Sequence, residues 1–122
     1  MKPRYFSTRE RANSIRLAWD GILLFFREEH NARIHLVSSI AVLIASCYFR
    51  LSRFEIITLV IVTGFVWAAE ILNTSMEKAM DLIVPEQHPT VKLIKDLAAA
   101  AVLIAAMTAV TVGAIIFIPK LF

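Results

Sequence analysis

Residues 97–118 form a run of 22 positions without a charged side chain, and no other feature of the sequence limits the fold so severely. A helix rises about 1.5 Å per residue, so about 20 such residues cross a hydrocarbon core. Two more uncharged runs, 36–49 and 56–69, have 14 residues each. Both are short for independent spans. Ile34 and His35 lengthen the first, and the second continues in helical pattern through Glu70 towards Val84. Arg33, Arg50 and Arg53 stand at their ends, where long basic side chains snorkel and tilt makes up length. Hydrophobic residues make up 58% of only 122 residues, more apolar surface than so small an interior hides. The excess must face lipid. The expected fold is an all-α membrane protein, one integral membrane domain over residues 1–122, with an amphipathic helix near 10–30 and spans near 34–50, 54–83 and 96–118.

The segment before the first span follows a different pattern. Ile15, Trp19, Ile22 and Phe26 recur at spacings of four, three and four, which is one helical face, while Arg16, Asp20 and Arg27 fall off it. Such a helix is expected to lie in the interface with Trp19 as anchor. Ten of the thirteen basic residues precede the first span or lie between the second and third, Lys2, Arg4, Arg9, Arg11 and Arg16 among them. Only Arg50, Arg53 and Lys120 fall on the other side. That imbalance places the N-terminus and the second loop in the cytoplasm. Pro85 and Pro89 are expected to break helix on either side of a loop residue, His88. The first sixteen residues are basic but lead into no short apolar core with a cleavage site, so no cleaved signal peptide is expected. The lone Cys47 excludes an internal disulfide, and His30, His35 and His88 are scattered without partners or metal-type spacing. Met76, Met80 and Met107 are read as packing residues, and Phe65 and Trp67 as facing lipid or a neighbouring subunit.

The chemistry is concentrated in Glu70-Ile71-Leu72-Asn73-Thr74-Ser75-Met76-Glu77 and Asp81. At about 100° per residue, positions 70, 73, 77 and 81 fall within roughly 80° of arc and line about 16 Å of one helix face. Glu70 follows fourteen apolar residues directly, and an unpaired acid at mid-bilayer costs at least about 2.5 kcal/mol. Like charges at i, i+4 repel by a few tenths of a kcal/mol more. A cation or polar partners from other helices would make the arrangement stable; the alternative, a solvated helix face emerging into the cytoplasm, suits Asp81 but fits Glu70 and Glu77 poorly. Hard oxygen donors at this spacing suit Mg²⁺, which takes one or two carboxylates and fills its shell with water and phosphates. Glu28-Glu29 supplies further acid on the cytoplasmic side, and Lys92 and Lys95-Asp96 lead into the third span at the same level. Acids, magnesium and lysines at one membrane level point to phosphoryl transfer, which needs charge neutralisation and a placed acceptor hydroxyl. The three glycines are too far apart for a phosphate-cradling loop, so a nucleotide must be held otherwise.

The central stretch, with Asp81, His88 and Lys95-Asp96-Leu97-Ala98-Ala99-Ala100-Ala101-Val102, resembles the signature of the prokaryotic diacylglycerol kinase family, which includes undecaprenol kinases. Trp19-Asp20-Gly21-Ile22 and Glu29-His30-Asn31-Ala32-Arg33-Ile34-His35 match its N-terminal pattern, so the resemblance covers nearly the whole chain. Two positions depart from it: Asp20 replaces a basic residue, and Ala98–Ala101 contains no glycine where the family commonly has one.

The resemblance implies an ATP-dependent lipid kinase of the bacterial inner membrane, a homotrimer of three-span subunits with shared active sites and Mg²⁺ as cofactor. Its acceptor is diacylglycerol or undecaprenol, and no nucleic-acid partner is expected. Carried over residue by residue, Glu70 is the general base, and Asn73, Glu70 and Trp19 bind the lipid substrate. Glu29 and Glu77 hold the magnesium that bridges the ATP phosphates. Lys95, Asp96, Asp81 and an N-terminal arginine, Arg16 or else Arg9 or Arg11, complete the nucleotide site. The rival from another class is a non-catalytic membrane subunit or cation-conducting oligomer with the acid stripe as its path, but such a pore has no reason to hold Lys95-Asp96 at the same level. An inactivated relative is a third reading, against which every central acidic position is present.

Overall fold

The computed structural model describes residues 7–122, which form four helices: α1 (Thr8–Glu28), α2 (His30–Tyr48), α3 (Arg53–Ile83) and α4 (Pro89–Leu121). Lys2 and Arg4 of the charge imbalance, and the first six residues of the basic N-terminus, lie outside the described residues. The chain divides into two compact units, Met1–Ile34 and His35–Phe122.

In the first unit, Ser7 caps α1, its hydroxyl oxygen accepting from the Arg9 amide at 3.2 Å. The helix stops because Glu29 turns extended, with φ −101° and ψ 121°. Arg33, on the first turn of α2, then donates to the Phe26 and Arg27 carbonyls at 3.3 and 2.9 Å, satisfying acceptors that a helix end leaves open. Phe25 and Ala32 are buried at this elbow. The expected apolar stripe is only partly covered: Ile15 and Trp19 are exposed, Ile22 and Phe26 half-buried, and the buried aromatic is Phe25, off the stripe. Helical periodicity marks the apolar side of α1. It does not show which ring the elbow encloses.

The second unit contains the three helices long and apolar enough to cross a membrane, α3, α4 and α2, whose first turn belongs to the elbow. Thirty-one residues of α3 rise about 46 Å, beyond a hydrocarbon core of about 30 Å, so its acidic end projects past the apolar part. The corner between α2 and α3 is fully capped. Arg50 takes the left-handed conformation (φ 51°), while the Leu51 amide donates to the Ser46 carbonyl and the Arg50 amide to Cys47. This is a Schellman ending with an arginine where glycine is usual. Ser52 and Glu55 then exchange side-chain and backbone hydrogen bonds as a capping box, which opens α3.

Leu51, Leu59 and Ile116 form the core of this unit, with Val42, Phe49, Val112 and Phe117 against it and the Phe49 and Phe117 rings edge-to-face at 6.0 Å. Lys120 closes the same end by pairing with Glu55 at 3.3 Å. At the other end His88 caps α4, its Nδ1 accepting from the Thr90 amide at 3.1 Å, and Pro89 occupies the first turn. Pro89 was expected to break helix. Instead its fixed φ and missing N–H suit the first helical position, and α4 begins there.

The left-handed Arg50 yields a test. A left-handed non-glycine residue costs roughly 1–2 kcal/mol, part of which glycine gives back as unfolded-chain entropy. Arg50→Gly is expected to raise stability in detergent micelles by about 0.5 kcal/mol, while β-branched Arg50→Val lowers it by more than about 1 kcal/mol. Equal unfolding midpoints for the two variants would contradict the assignment.

Candidate active site

The stripe on α3 begins at its most enclosed residue. Glu70 is 7% exposed, and its Oε1 lies 2.8 Å from the Nε2 of His35 on α2. With the carboxylate ionised, the imidazole N–H is the donor. One turn back along α3, the Trp67 indole N–H donates to the Ser39 hydroxyl oxygen at 3.0 Å, and that hydroxyl donates to the His35 carbonyl at 2.7 Å. Two readings of the sequence are corrected here. His35 has a partner, and half-buried Trp67, read as facing lipid or a neighbouring subunit, turns its polar edge to α2. Spacing within one chain segment did not reveal either, because both partners are about 30 residues away.

Asn73 comes next on the same face. Its Oδ1 is buried and, among the described residues, is the one buried side-chain oxygen or nitrogen without a hydrogen-bond partner. A buried unpaired acceptor costs about 1–3 kcal/mol, so it calls for a hydroxyl proton or a hard cation. Asn73 also borders a groove of about 1070 Å³ between α3 and α4, lined by Ala69, Leu72, Met76, Ala101 and Ala105. Small side chains on both helices leave the space. Met76 and Met107, read as packing residues, are 40% and 60% exposed: Met76 lies in the groove wall, and Met107 is on the open side of α4.

Glu77 is exposed one turn further on, and Asp81 a turn beyond that. Lys95 on α4 pairs with Asp81 at 2.5 Å, and Lys92 pairs with Asp96. These four residues, with Glu86 and His88 of the loop, surround a polar hollow of about 700 Å³. The structure thus brings Asp81, Lys95 and Asp96 together and joins His35 to Glu70, while Glu70 and Glu77 are not in the wall of this hollow. Lys95, expected on the nucleotide phosphates, is held by Asp81. His88 stands in the loop, as its sequence position implied, and caps α4.

Arg16, Trp19 and Glu29 belong to the first unit, Arg16 and Trp19 exposed on α1 and Glu29 half-buried at the elbow. Among the described residues no three His, Cys, Asp or Glu side chains converge on a point fit for a metal. The donor set nevertheless suits Mg²⁺, which needs only one or two protein carboxylates besides water and phosphate. An exposed Glu77 one turn from an unsatisfied Asn73 oxygen provides hard oxygens of that kind.

Three apolar helices with carboxylates and lysines gathered at one end define a membrane protein with a polar site at the edge of its apolar spans. The chain belongs to the prokaryotic diacylglycerol kinase family, whose model matches residues 16–117. It is 38% identical over 109 residues to a diacylglycerol kinase of Synechocystis sp., covering 88% of this chain and 62% of that relative. It is also 38% identical over 101 residues to the undecaprenol kinase of Bacillus subtilis, covering 83% of this chain and 82% of the relative. The chain therefore spans less than two thirds of the Synechocystis protein and most of the Bacillus one.

Lys95 and Asp81 are 34% and 67% exposed, which makes their pair a solvated one. A double-mutant cycle with Lys95→Met and Asp81→Asn is expected to give a coupling of less than about 1 kcal/mol in unfolding free energy. A coupling of several kcal/mol would make the pair a structural tie.

Proposed function

We propose that the chain is an ATP- and Mg²⁺-dependent lipid kinase that phosphorylates the hydroxyl of diacylglycerol or undecaprenol. It works at the cytoplasmic leaflet of the bacterial inner membrane, with its N-terminus inside. The observation that carries this is Glu70, an enclosed carboxylate on the same helix face as the unsatisfied Asn73 oxygen at the groove. An apolar groove for a chain beside an acceptor for a hydroxyl is what a lipid alcohol requires. Family membership and the names of both relatives support the same activity.

In the reaction, Asn73 Oδ1 takes the lipid hydroxyl's hydrogen bond and holds its oxygen near Glu70. The oxygen attacks the γ-phosphorus, the bond from that phosphorus to the β–γ bridging oxygen breaks, and ADP leaves. The hydroxyl proton passes to the Glu70 carboxylate. Lys95, Asp96, Asp81 and Arg16 would bind the nucleotide, and Glu29 and Glu77 would hold Mg²⁺, each as the family resemblance implies. Bound Mg²⁺ supplies neutralisation of the phosphate charge. Lys95 exchanges Asp81 for phosphate when ATP arrives, an exchange made easy by the weak solvated pair. Trp19, exposed on α1, would contribute to lipid binding as an interfacial anchor.

The subunit is proposed to work as a homotrimer with active sites shared between neighbours. Among the described residues only six hydrophobic side chains are buried, so most apolar surface is free for lipid and for other copies.

The test is transfer of labelled phosphate from ATP in micelles, with undecaprenol and diacylglycerol in competition. Glu70→Gln is expected to lower kcat at least about 100-fold, the lower end of the range for a lost general base, while leaving folding and assembly intact. Asn73→Ala is expected to raise the lipid KM more than the ATP KM. ATP consumption that ignores added lipid alcohol, or full turnover in Glu70→Gln, would overturn the assignment.

A further inference from the structure

We propose that His35 is a positioning residue for Glu70, fixing which carboxylate oxygen is free to take the substrate proton; this rests on the lipid-kinase reading. Two polar links join α2 and α3. His35 meets Glu70, and Ser39 meets Trp67. On α2 the partners are four apart and on α3 three apart, in opposite chain directions, so they are neighbours on the facing sides of two antiparallel helices. Ser39 also bonds the His35 carbonyl, tying the second link to the backbone that carries the first. Polar bonds between spanning helices resist sliding, because each group released into hydrocarbon loses its partner. The pair of links therefore sets the register of α2 against α3 at the height of Glu70.

The consequence is local. Glu70 is 7% exposed, so water does little to hold its carboxylate, and an exposed glutamate in its place would sample several rotamers. The His35 N–H occupies Oε1 at 2.8 Å, which leaves Oε2 to accept a proton. Misplacing a reacting group by about 1 Å costs about 100-fold in rate, so this restraint acts on turnover and not on substrate affinity.

In the full-length protein in micelles, His35→Ala is expected to lower kcat about 10- to 100-fold with the KM for ATP unchanged. His35→Gln, whose amide N–H reaches the same oxygen, is expected to recover most of the loss, which a purely space-filling role does not predict. Trp67→Phe, which removes the second link alone, should lower kcat by less than His35→Ala. Nitrogen NMR of labelled histidine gives a readout independent of turnover: His35 is expected to hold its proton on Nε2 in the wild type and to lose that tautomer bias in Glu70→Leu. Wild-type kcat in His35→Ala, or His35→Gln as slow as His35→Ala while both fold normally, overturns the proposal. So does a tautomer unaffected by Glu70→Leu. If the wild type shows the bias but transfers no phosphate to either lipid, the contact stands and both the kinase reading and the positioning role fall.

Discussion

Hydrocarbon offers no hydrogen bonds, so every polar group on a spanning helix must find its partner within protein. Six side-chain hydroxyls on α2, α3 and α4 meet that constraint by turning back to the carbonyl four residues earlier: Ser39, Ser46, Thr58, Ser75, Thr108 and Thr111. Such bonds are local and bring no two helices together. Glu70 and Trp67 are different, because their bonds cross from one helix to the next, the indole's to a Ser39 hydroxyl that is itself bonded locally. The polar residues that could not be satisfied locally are the ones that fix helix against helix. Asn73 Oδ1 is satisfied by neither route, and it lies within one turn of Glu70.

The two ends of the second unit are built on opposite principles. At the α2–α3 corner, Leu51, Leu59 and Ile116 meet Phe49 and Phe117, and capping and an ion pair close what remains. Towards the acidic end the facing residues shrink to alanines, and the helices leave a groove instead of a core. A closed end that carries the packing allows an open end that holds charge and space. The same division explains why Glu55 and Glu70, acids on one helix, have such different surroundings: Glu55 spends its oxygens on the cap and on Lys120, whereas Glu70 has a single imidazole.

Much of the architecture was legible in the sequence because it rests on two local signals, uncharged length and helical period. The three spans, and the alignment of Glu70, Asn73, Glu77 and Asp81, follow from those alone. What was not legible depends on contacts between distant residues. His35 carries no local mark of its bond to Glu70, and nothing near Asp81 announces Lys95 fourteen positions later. Two further local signals stand in the sequence. Ser52-Arg53-Phe54-Glu55 has the spacing of a capping box, and proline directly after a capping side chain marks a helix start, so His88-Pro89 was a beginning and not a break.

The early start of α4 changes what the adjacent Lys95 and Asp96 can do. Because helix begins at Pro89, about 12 Å of stiff rod precedes the uncharged run, and both residues ride on it. Neighbours in a helix point about 100° apart, and here one reaches α3 while the other stays with its own helix. Any turning of that rod about its axis must swing the lysine and the aspartate by the same angle, so only side-chain rotation re-aims one without the other. A flexible loop would have let the two adapt separately. Mounted as they are, cation and anion behave as two teeth of one gear.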